Sequence, residues 1–348
     1  MSDTVEHAPA VTGDAPGGPP LGNGPFGLLK RTSKTFAEQR EATVFVVAVL
    51  LVVYFGLKAP NFLTKDNLVN LSQITAPVAI IAVGEVLLLI CGEIDLSVGF
   101  VLGFSPFLMH YLIDYYSVPV ILAIIIALLM GVAAGWVNGA LTVYLRLPSF
   151  ISTLGTGFIL WGLMLTTSNA YPANIPKSAE GIGRWIGSLA WAEIIWAVIF
   201  VLIFQLILSR TRWGLHTVAV GGNLQGASEA GISVAKIKIG AFMVTGFMGA
   251  FVGLQQAFQT NTIDPSNASY QPMFYAIAGA VIGGTALAGG SGTIIGAFLG
   301  AFVLSVLTDG FNLIGISANP LNIIFGAAIL VAMIANVQLS RLRRAGRS

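Results

Sequence analysis

Charged residues are scarce in this chain of 348 residues: Asp, Glu, Lys and Arg together make up 9% of it. A soluble globular domain carries about 25% of these residues, so the deficit excludes an ordinary water-soluble fold. Hydrophobic residues account for 55% of the chain, and the mean hydropathy is +0.84. One water-soluble core could not bury so many apolar side chains, and we therefore predict that lipid solvates much of the protein.

The chain also lacks the motifs of catalysis. Its single cysteine, Cys91, excludes an intrachain disulfide, and its three histidines do not have the spacing of metal ligands. There is no Gly-x-x-x-x-Gly-Lys-Ser/Thr phosphate loop and no Gly-x-Ser-x-Gly motif, and the glycine-rich run at 289–292 has no lysine. We therefore predict a protein that is not an enzyme and has no metal or cofactor of its own. Any ATP hydrolysis would belong to another chain.

The N-terminal region differs in composition from the rest. Residues 1–28 are rich in Pro, Gly, Ala and acidic residues, and we predict a disordered cytoplasmic tail over residues 1–41. The tail has no basic region followed by a short apolar run, so it is not a secretory signal. The first membrane helix is expected to act as its own uncleaved insertion signal.

Long apolar runs fill most of the remaining chain. They are continuous, whereas barrel strands alternate over about ten residues, so we predict an all-α, polytopic membrane helix bundle of about ten spans at residues 42–337. The pairs of runs at 68–113 and 273–315 have almost no polar break, and each is either a full hairpin or contains a helix broken inside the membrane. The runs lie near 42–57, 68–91, 97–113, 118–144, 150–168, 191–209, 238–258, 273–289, 293–315 and 319–337.

The positive charges predict that both termini are cytoplasmic. With ten spans and the N-terminus inside, thirteen of the seventeen Lys and Arg residues fall in inside segments, as the positive-inside rule requires. Eight spans would also place both termini inside. The basic tail at 338–348 is then cytoplasmic, and residues 169–190 form an external segment. Residues 210–237, called the internal segment below, are either a docking surface or a solvated connector.

Glycines recur four positions apart within the apolar runs, for example at Gly131, Gly135 and Gly139. This spacing places them on one helix face, where two helix backbones can approach closely, and we predict tight helix packing around a narrow path. A faint repeat is either a mark of internal symmetry or a coincidence of glycine-rich sequence. In it, Gly92, Gly99, Leu102 and Gly103 align without gaps onto Gly289, Gly296, Leu299 and Gly300.

Residues 92–99, called the carboxylate segment below, place Glu93, Asp95 and Ser97 between two apolar runs. A charge at the bilayer centre costs about 2.5–3.5 kcal/mol, so these groups should face a cavity, a partner or the water interface. The segment is therefore either a gate on a solute path or an interfacial turn in which Asp95 caps the next helix.

Further polar residues lie inside or near the ends of apolar runs: Glu85, Asn138, Asp309 and Asn312. A polar group in hydrocarbon needs a partner, so each either forms an interhelical hydrogen bond or lines the solute path. Our candidate residues for the path or its gate are Glu93, Asp95, Ser97, Asn138 and Asp309.

Four segments resemble those of the permease subunits of ribose, xylose and arabinose-type ABC importers. The carboxylate segment is similar to the family's Gly-Gly-Ile-Asp-Leu-Ser-Val-Gly motif, with Glu93 in place of the second glycine. The stretch at 138–155 resembles its Asn-Gly and Pro-Phe-Ile-x-Thr-Leu-Gly sequences, and the stretch at 219–223 resembles its cytoplasmic Ala-x-Gly-Gly-Asn loop. Residues 283–296 resemble its glycine-rich segment near the C-terminus. These matches occur in chain order and cover most of the chain.

The resemblance implies partners. Two permease subunits, expected as a homodimer, would pair in the lipid bilayer of the bacterial inner membrane. A cytoplasmic ABC ATPase would supply ATP and Mg sites, and a periplasmic or lipid-anchored sugar-binding protein would deliver a monosaccharide and set most of the specificity. No nucleic acid partner is expected. Glu93 and Asp95 would then control the cytoplasmic exit.

The internal segment is suited to dock that ATPase through a short helix. Asn223 can cap a helix that begins near Leu224, and Glu229 falls on the exposed side of this helix. Gly221 and Gly222 allow a tight turn before it. We predict that Gly221, Gly222, Asn223 and Glu229 belong to the ATPase-docking loop.

Other functions stay open on the residues alone. A nucleoside or branched-chain amino acid ABC permease has a related architecture, although the sequence at 94–97 favours the sugar branch. An ion-coupled secondary transporter could use Glu85, Glu93, Asp95 and Asp309. A membrane enzyme is a more distant alternative, because no catalytic set is present. The energy source distinguishes an ABC permease, which needs ATP and partner chains, from a secondary transporter.

Overall fold

The computed structural model describes residues 40–316 and, beyond them, helical positions at 323, 326, 327, 330 and 334. Residues 1–39 of the predicted N-terminal tail, the basic tail at 338–348 and, apart from those positions, the apolar run predicted at 319–337 lie outside the described residues. Between residues 40 and 316 the chain is almost entirely helical, in agreement with the predicted helical bundle.

The described helices follow the predicted apolar runs. Helices α1 to α5 are Arg40–Lys58, Lys65–Ile90, Val98–Asp114, Val120–Tyr144 and Ser149–Ser168. Helices α6 to α9 are Glu180–Gly183, Ala192–Arg210, Arg212–Gly222 and Leu224–Glu229, and α10 to α12 are Val234–Thr260, Gln271–Ile282 and Ile294–Leu313. Two short strands, β1 (Ala173–Asn174) and β2 (Thr262–Ile263), pair antiparallel and join the connections that follow α5 and α10.

Within the described ranges, seven helices are long and apolar enough to cross a membrane: α1, α2, α4, α5, α7, α10 and α12. Helix α3 has 17 residues and α11 has 12. At 1.5 Å per residue these two are about 25 Å and about 18 Å long, shorter than a hydrocarbon core of about 30 Å. The chain is therefore a multi-pass helical protein, but the predicted count of ten spans and the orientation of the termini are not confirmed.

Turns that contain glycine at positive φ interrupt both pairs of runs that lack a polar break. Helix α2 ends at Ile90, and the chain turns at Gly92, whose φ is 76°. The run predicted at 273–289 is helical only to Ile282, because Gly284 and Gly289 adopt φ of 91° and 84°, which an α-helix does not permit. Gly92 and Gly289, which the sequence repeat aligned, thus turn the chain in the same way before α3 and α12.

Helices α2 and α10 form the buried centre of the bundle. The main apolar cluster joins them to side chains of α7, α11 and α12. Helix α4 crosses α10 where glycines meet: a Cβ on Gly131 would overlap the Gly246 carbonyl oxygen, and a Cβ on Gly246 would overlap that of Gly131. These contacts agree with the prediction of tight packing at the glycine positions. This centre holds the ends of α2 and α10 beside the carboxylate segment.

Candidate functional site

The carboxylate segment lies between α2 and α3 and is enclosed by neighbouring helices. Asp95 and Ser97 are 0% and 1% exposed, and Glu93 is partly buried. Such burial is not typical of a turn at a water interface. Buried polar groups require hydrogen-bond partners, so the partners of these side chains hold the carboxylate segment in position.

Asp95 organises the turn that leads into α3. Its Oδ1 accepts hydrogen bonds from the backbone N–H of Ser97 at 2.8 Å and from the Ser97 hydroxyl at 2.6 Å. Burial raises the pKa of Asp95, and hydrogen bonds from Ser97 and Asn138 oppose that rise. Ser97, whose side chain makes no capping bond, is the residue that precedes α3. Asp95 therefore shapes the turn before the helix and does not cap the helix itself.

Asn138 brings α4 into the same cluster. Its Nδ2 donates to Ser97 Oγ at 2.8 Å and lies 3.4 Å from both carboxylate oxygens of Asp95. Asn138 thus meets Asp95 and Ser97, which lie 43 and 41 positions before it in sequence, in one buried cluster. The interhelical hydrogen bond expected of Asn138 is present.

Helix α5 contributes hydroxyl groups that the sequence did not identify. Thr153 Oγ1 accepts from the backbone N–H of Leu96 at 3.1 Å, and Ser149 Oγ accepts from that of Ile94 at 3.4 Å. Both hydroxyls lie in the 138–155 stretch that carries the family resemblance. That resemblance was the one feature of the sequence that could have pointed to them. They anchor the backbone of the carboxylate segment rather than its side chains.

Glu93 faces a different helix, because Lys238 of α10 donates through Nζ to Glu93 Oε1. The two side chains are only 15% and 12% exposed, so water and salt screen this ion pair weakly. Burial also raises the pKa of the adjacent Cys91 to about 12, with Lys238 lowering it and Glu93 raising it further. The Cys91 thiol is therefore neutral and weakly nucleophilic at neutral pH.

Glu85 lies inside α2, next to this cluster. It is 0% exposed, and neither carboxylate oxygen has a well-formed hydrogen bond within the described part of the chain. The backbone N–H of Asp95 lies near Glu85. The sequence singled out Glu85 as a polar residue in an apolar run, and the structure places it beside the predicted gate.

Asp309 does not join the site. It is 3% exposed on α12, and its carboxylate accepts from Asn67 Nδ2 at 2.7 Å and from Asn70 Nδ2 at 3.1 Å. Both asparagines lie in the first two turns of α2, whereas the carboxylate segment follows the other end of that helix, about 30 Å away at 1.5 Å per residue. Asp309 therefore joins α12 to α2, with the interhelical hydrogen bonds that its sequence position allowed.

The internal segment forms α8, α9 and the start of α10. Helix α9 begins at Leu224, and Asn223 Oδ1 accepts from the Gly226 N–H at 2.9 Å, so the predicted cap is present. Glu229 is exposed, as predicted, and accepts a hydrogen bond from Gln225 Nε2 at 2.9 Å. The predicted tight turn at Gly221 and Gly222 is wrong, because these residues are the last two of α8.

Helices α8 and α9 also expose apolar side chains. Leu215, Val218 and Leu224 are 61%, 37% and 50% exposed. Positions 215 and 218 are three apart and share one face of α8. Exposed apolar side chains of a membrane protein are covered either by lipid or by another protein.

The contacts of this cluster hold the carboxylate segment against its neighbouring helices. Hydrogen bonds and one ion pair connect residues 93–97 to α4, α5 and α10. No group of three or more His, Cys, Asp or Glu side chains in the described part of the chain could hold a metal ion.

Comparison with known proteins places the chain among transport permeases. The family described as "branched-chain amino acid transport system / permease component" matches residues 67–334. A xylose/arabinose import permease protein of Sulfolobus acidocaldarius is 35% identical over 310 residues, which cover 86% of each chain. The ribose import permease protein of Escherichia coli K12 is 32% identical over 305 residues, 85% of this chain and 93% of its own.

A third relative carries a different solute in its name. The autoinducer 2 import system permease protein of Salmonella typhi is 30% identical over 312 residues, 88% of both chains. No solved structure matches the chain. The matched region includes the carboxylate segment, the internal segment and the glycine-rich turn before α12.

Proposed function

The chain belongs to this family of transport-system permease components, and from that premise we propose that it is the membrane-spanning subunit of an ABC importer for a monosaccharide. The observation that carries the sugar class is the match, over most of the chain, to relatives named as xylose/arabinose and ribose import permeases. The proposed location is the bacterial inner membrane. The chain itself would hydrolyse nothing, and ATP and Mg would bind to a separate ATPase.

The proposed assembly has two copies of this chain, a cytoplasmic ATPase beneath them and a sugar-binding protein above. The apolar patch of Leu215, Val218 and Leu224, together with the capped helix α9, supports the internal segment as the ATPase-docking surface. ATP-driven movement of that segment would alternate access to the solute path. The buried cluster around Asp95 would hold the cytoplasmic gate, and most of the specificity would lie in the binding protein.

Charge substitutions on α9 test the docking surface. Asn223→Arg removes the helix cap and Glu229→Arg reverses an exposed charge, and each is expected to lower ATPase co-purification and uptake by about tenfold, the effect of disturbing an interface contact worth about 1.4 kcal/mol. The measurement is the amount of ATPase retained on affinity-purified permease. Glu180→Arg is the matched control, because Glu180 is an exposed glutamate on the predicted external segment. Full ATPase assembly and uptake by both α9 variants would remove the docking role.

The solute class is tested in cells that lack the chromosomal copy of this chain. Uptake of labelled pentoses and hexoses should be lost in these cells and restored by the plasmid-borne chain. Labelled nucleosides and branched-chain amino acids are measured in parallel. Restored uptake of either in place of a sugar would assign the chain to that branch and contradict the monosaccharide proposal.

A further inference from the structure

Three backbone segments contact one another here: the end of α2, the end of α8 and the turn before α12. The Ile90 carbonyl accepts a hydrogen bond from the Gly290 N–H at 2.8 Å. A Cβ added to Gly221, in the last turn of α8, would overlap the same carbonyl oxygen. The internal segment therefore rests directly on the residue that leads into the carboxylate segment.

Side chains make a second connection at the same place. Cys91, Val220, Ala227 and Ile237 form one small buried apolar cluster. These four residues come from the end of α2, from α8, from α9 and from the first turn of α10. Close packing of this kind transmits displacement, because protein interiors have few voids and low compressibility.

The Glu93–Lys238 ion pair extends the connection into the carboxylate segment itself. Lys238 directly follows the internal segment and lies in the second turn of α10. Both side chains are mostly buried, so neither can move away alone without leaving an uncompensated charge in the protein. Glu93 also stands where the resembling family has glycine, which could not make this contact.

We propose that the Glu93–Lys238 ion pair is a positioning device that makes the carboxylate segment move with the internal segment. A displacement of α8 and α9 by the ATPase would thereby reach Asp95 and Ser97, only two and four residues beyond Glu93 in the chain. This inference rests on the proposed function, because it requires an ATPase that moves the internal segment. Within that function, the ion pair would be the contact through which ATP hydrolysis acts on the gate.

Charge reversal tests the pair in the complete complex. Glu93→Lys and Lys238→Glu are each expected to lower the solute imported per ATP hydrolysed by about tenfold, within the range of measured coupling between sites. The double variant Glu93→Lys with Lys238→Glu restores an ion pair of opposite polarity. It is expected to recover most of the wild-type ratio of solute imported to ATP hydrolysed. Solute uptake and phosphate release are measured in the same proteoliposomes, which contain the ATPase and the binding protein.

The matched control is Lys177→Glu, which reverses an exposed lysine on the predicted external segment, outside the internal segment, and is expected to keep the wild-type ratio. Cys91 supplies a readout that does not depend on the solute. It is the only cysteine of the chain and is 4% exposed beside the ion pair. Because the buried, neutral thiol reacts slowly, its maleimide labelling rate reports exposure of Cys91 and is expected to differ between the nucleotide-free and ATP-bound complexes. Glu93→Gln should abolish that difference.

Three results would overturn the inference. These are wild-type transport ratios in both single reversals, no recovery in a folded double variant, or a Cys91 labelling difference that persists in Glu93→Gln. If the charge-reversal variants do not fold, Glu93→Gln is measured in their place, both for the solute imported per ATP hydrolysed and for the Cys91 labelling rate. Failure of the proposed function has a different signature, since the wild-type complex would then import no sugar at the expense of ATP.

Discussion

Replacing Gly221 by valine is expected to prevent the chain from folding to a stable, monodisperse protein. The new side chain would occupy the place of the Ile90 carbonyl oxygen and approach the Gly290 N–H, which bond to each other at 2.8 Å. Backbone atoms cannot move aside as the end of a flexible side chain can. Overpacking of this kind costs about 3 kcal/mol or more, and here it would also separate a buried backbone hydrogen bond.

The measurement is thermal unfolding of the detergent-purified chain, together with its yield on size exclusion. Gly222→Ala is the matched control, because Gly222 is the next residue of α8 and a Cβ there would meet nothing within 4 Å. Its unfolding temperature should equal that of the wild type. A Gly221→Val variant as stable as the Gly222→Ala variant would mean that the close contact between α8 and α2 does not exist.

Replacing Asp95 by asparagine is expected to lower uptake by more than about tenfold at normal expression. Asparagine keeps the shape but removes the charge that strengthens the hydrogen bonds from Ser97 and the longer contact with Asn138. Hydrogen bonds to a charged group contribute about 1.5–3 kcal/mol, which corresponds to a change of tenfold or more in the balance between two gate positions.

Uptake is measured in cells at matched membrane levels of the variant and the wild type. Asp66→Asn is the control, because it makes the same chemical change at an exposed position in the first turn of α2. That variant should import normally. Normal uptake by Asp95→Asn would remove the gating role of Asp95 and leave the buried cluster as a purely structural contact.

Local chemistry made parts of this site predictable from the sequence. Asn223 caps α9 because an asparagine before a short helix can satisfy a backbone N–H by itself, without help from distant residues. Asp95 and Ser97 were identifiable because a carboxylate in an apolar region must be enclosed or paired. The close packing at the glycine positions was predictable for a similar reason, because a spacing of four residues places the glycines on one helix face.

Contacts between distant positions were not predictable in the same way. Lys238 lies 145 residues from Glu93, and nothing in the local sequence of either residue specifies the other. The hydroxyls of Thr153 and Ser149 serve the backbone of another segment, which leaves no side-chain pattern to detect. Gly221 was expected in a turn because glycine favours turns, but its lack of a side chain is used inside a helix at a close approach.

The helix in the run predicted at 273–289 is shorter than its hydropathy indicates, for a physical reason as well. Hydropathy measures how apolar a run is, and residues 283–289 are apolar enough to extend the run that begins at 273. Positive φ at Gly284 and Gly289 ends the helix nonetheless. Helix α11 is therefore a short helix whose partner across the turn, α12, is one of the long ones.

The source of energy is the most direct test of the proposed function. Proteoliposomes containing the wild-type chain, its ATPase and its sugar-binding protein are loaded with ATP, and labelled sugar uptake is followed with and without an ionophore. The account predicts uptake that requires all three proteins and ATP and is insensitive to the ionophore. Uptake by this chain alone that collapses when the ionophore is added would contradict it and identify an ion-coupled secondary transporter.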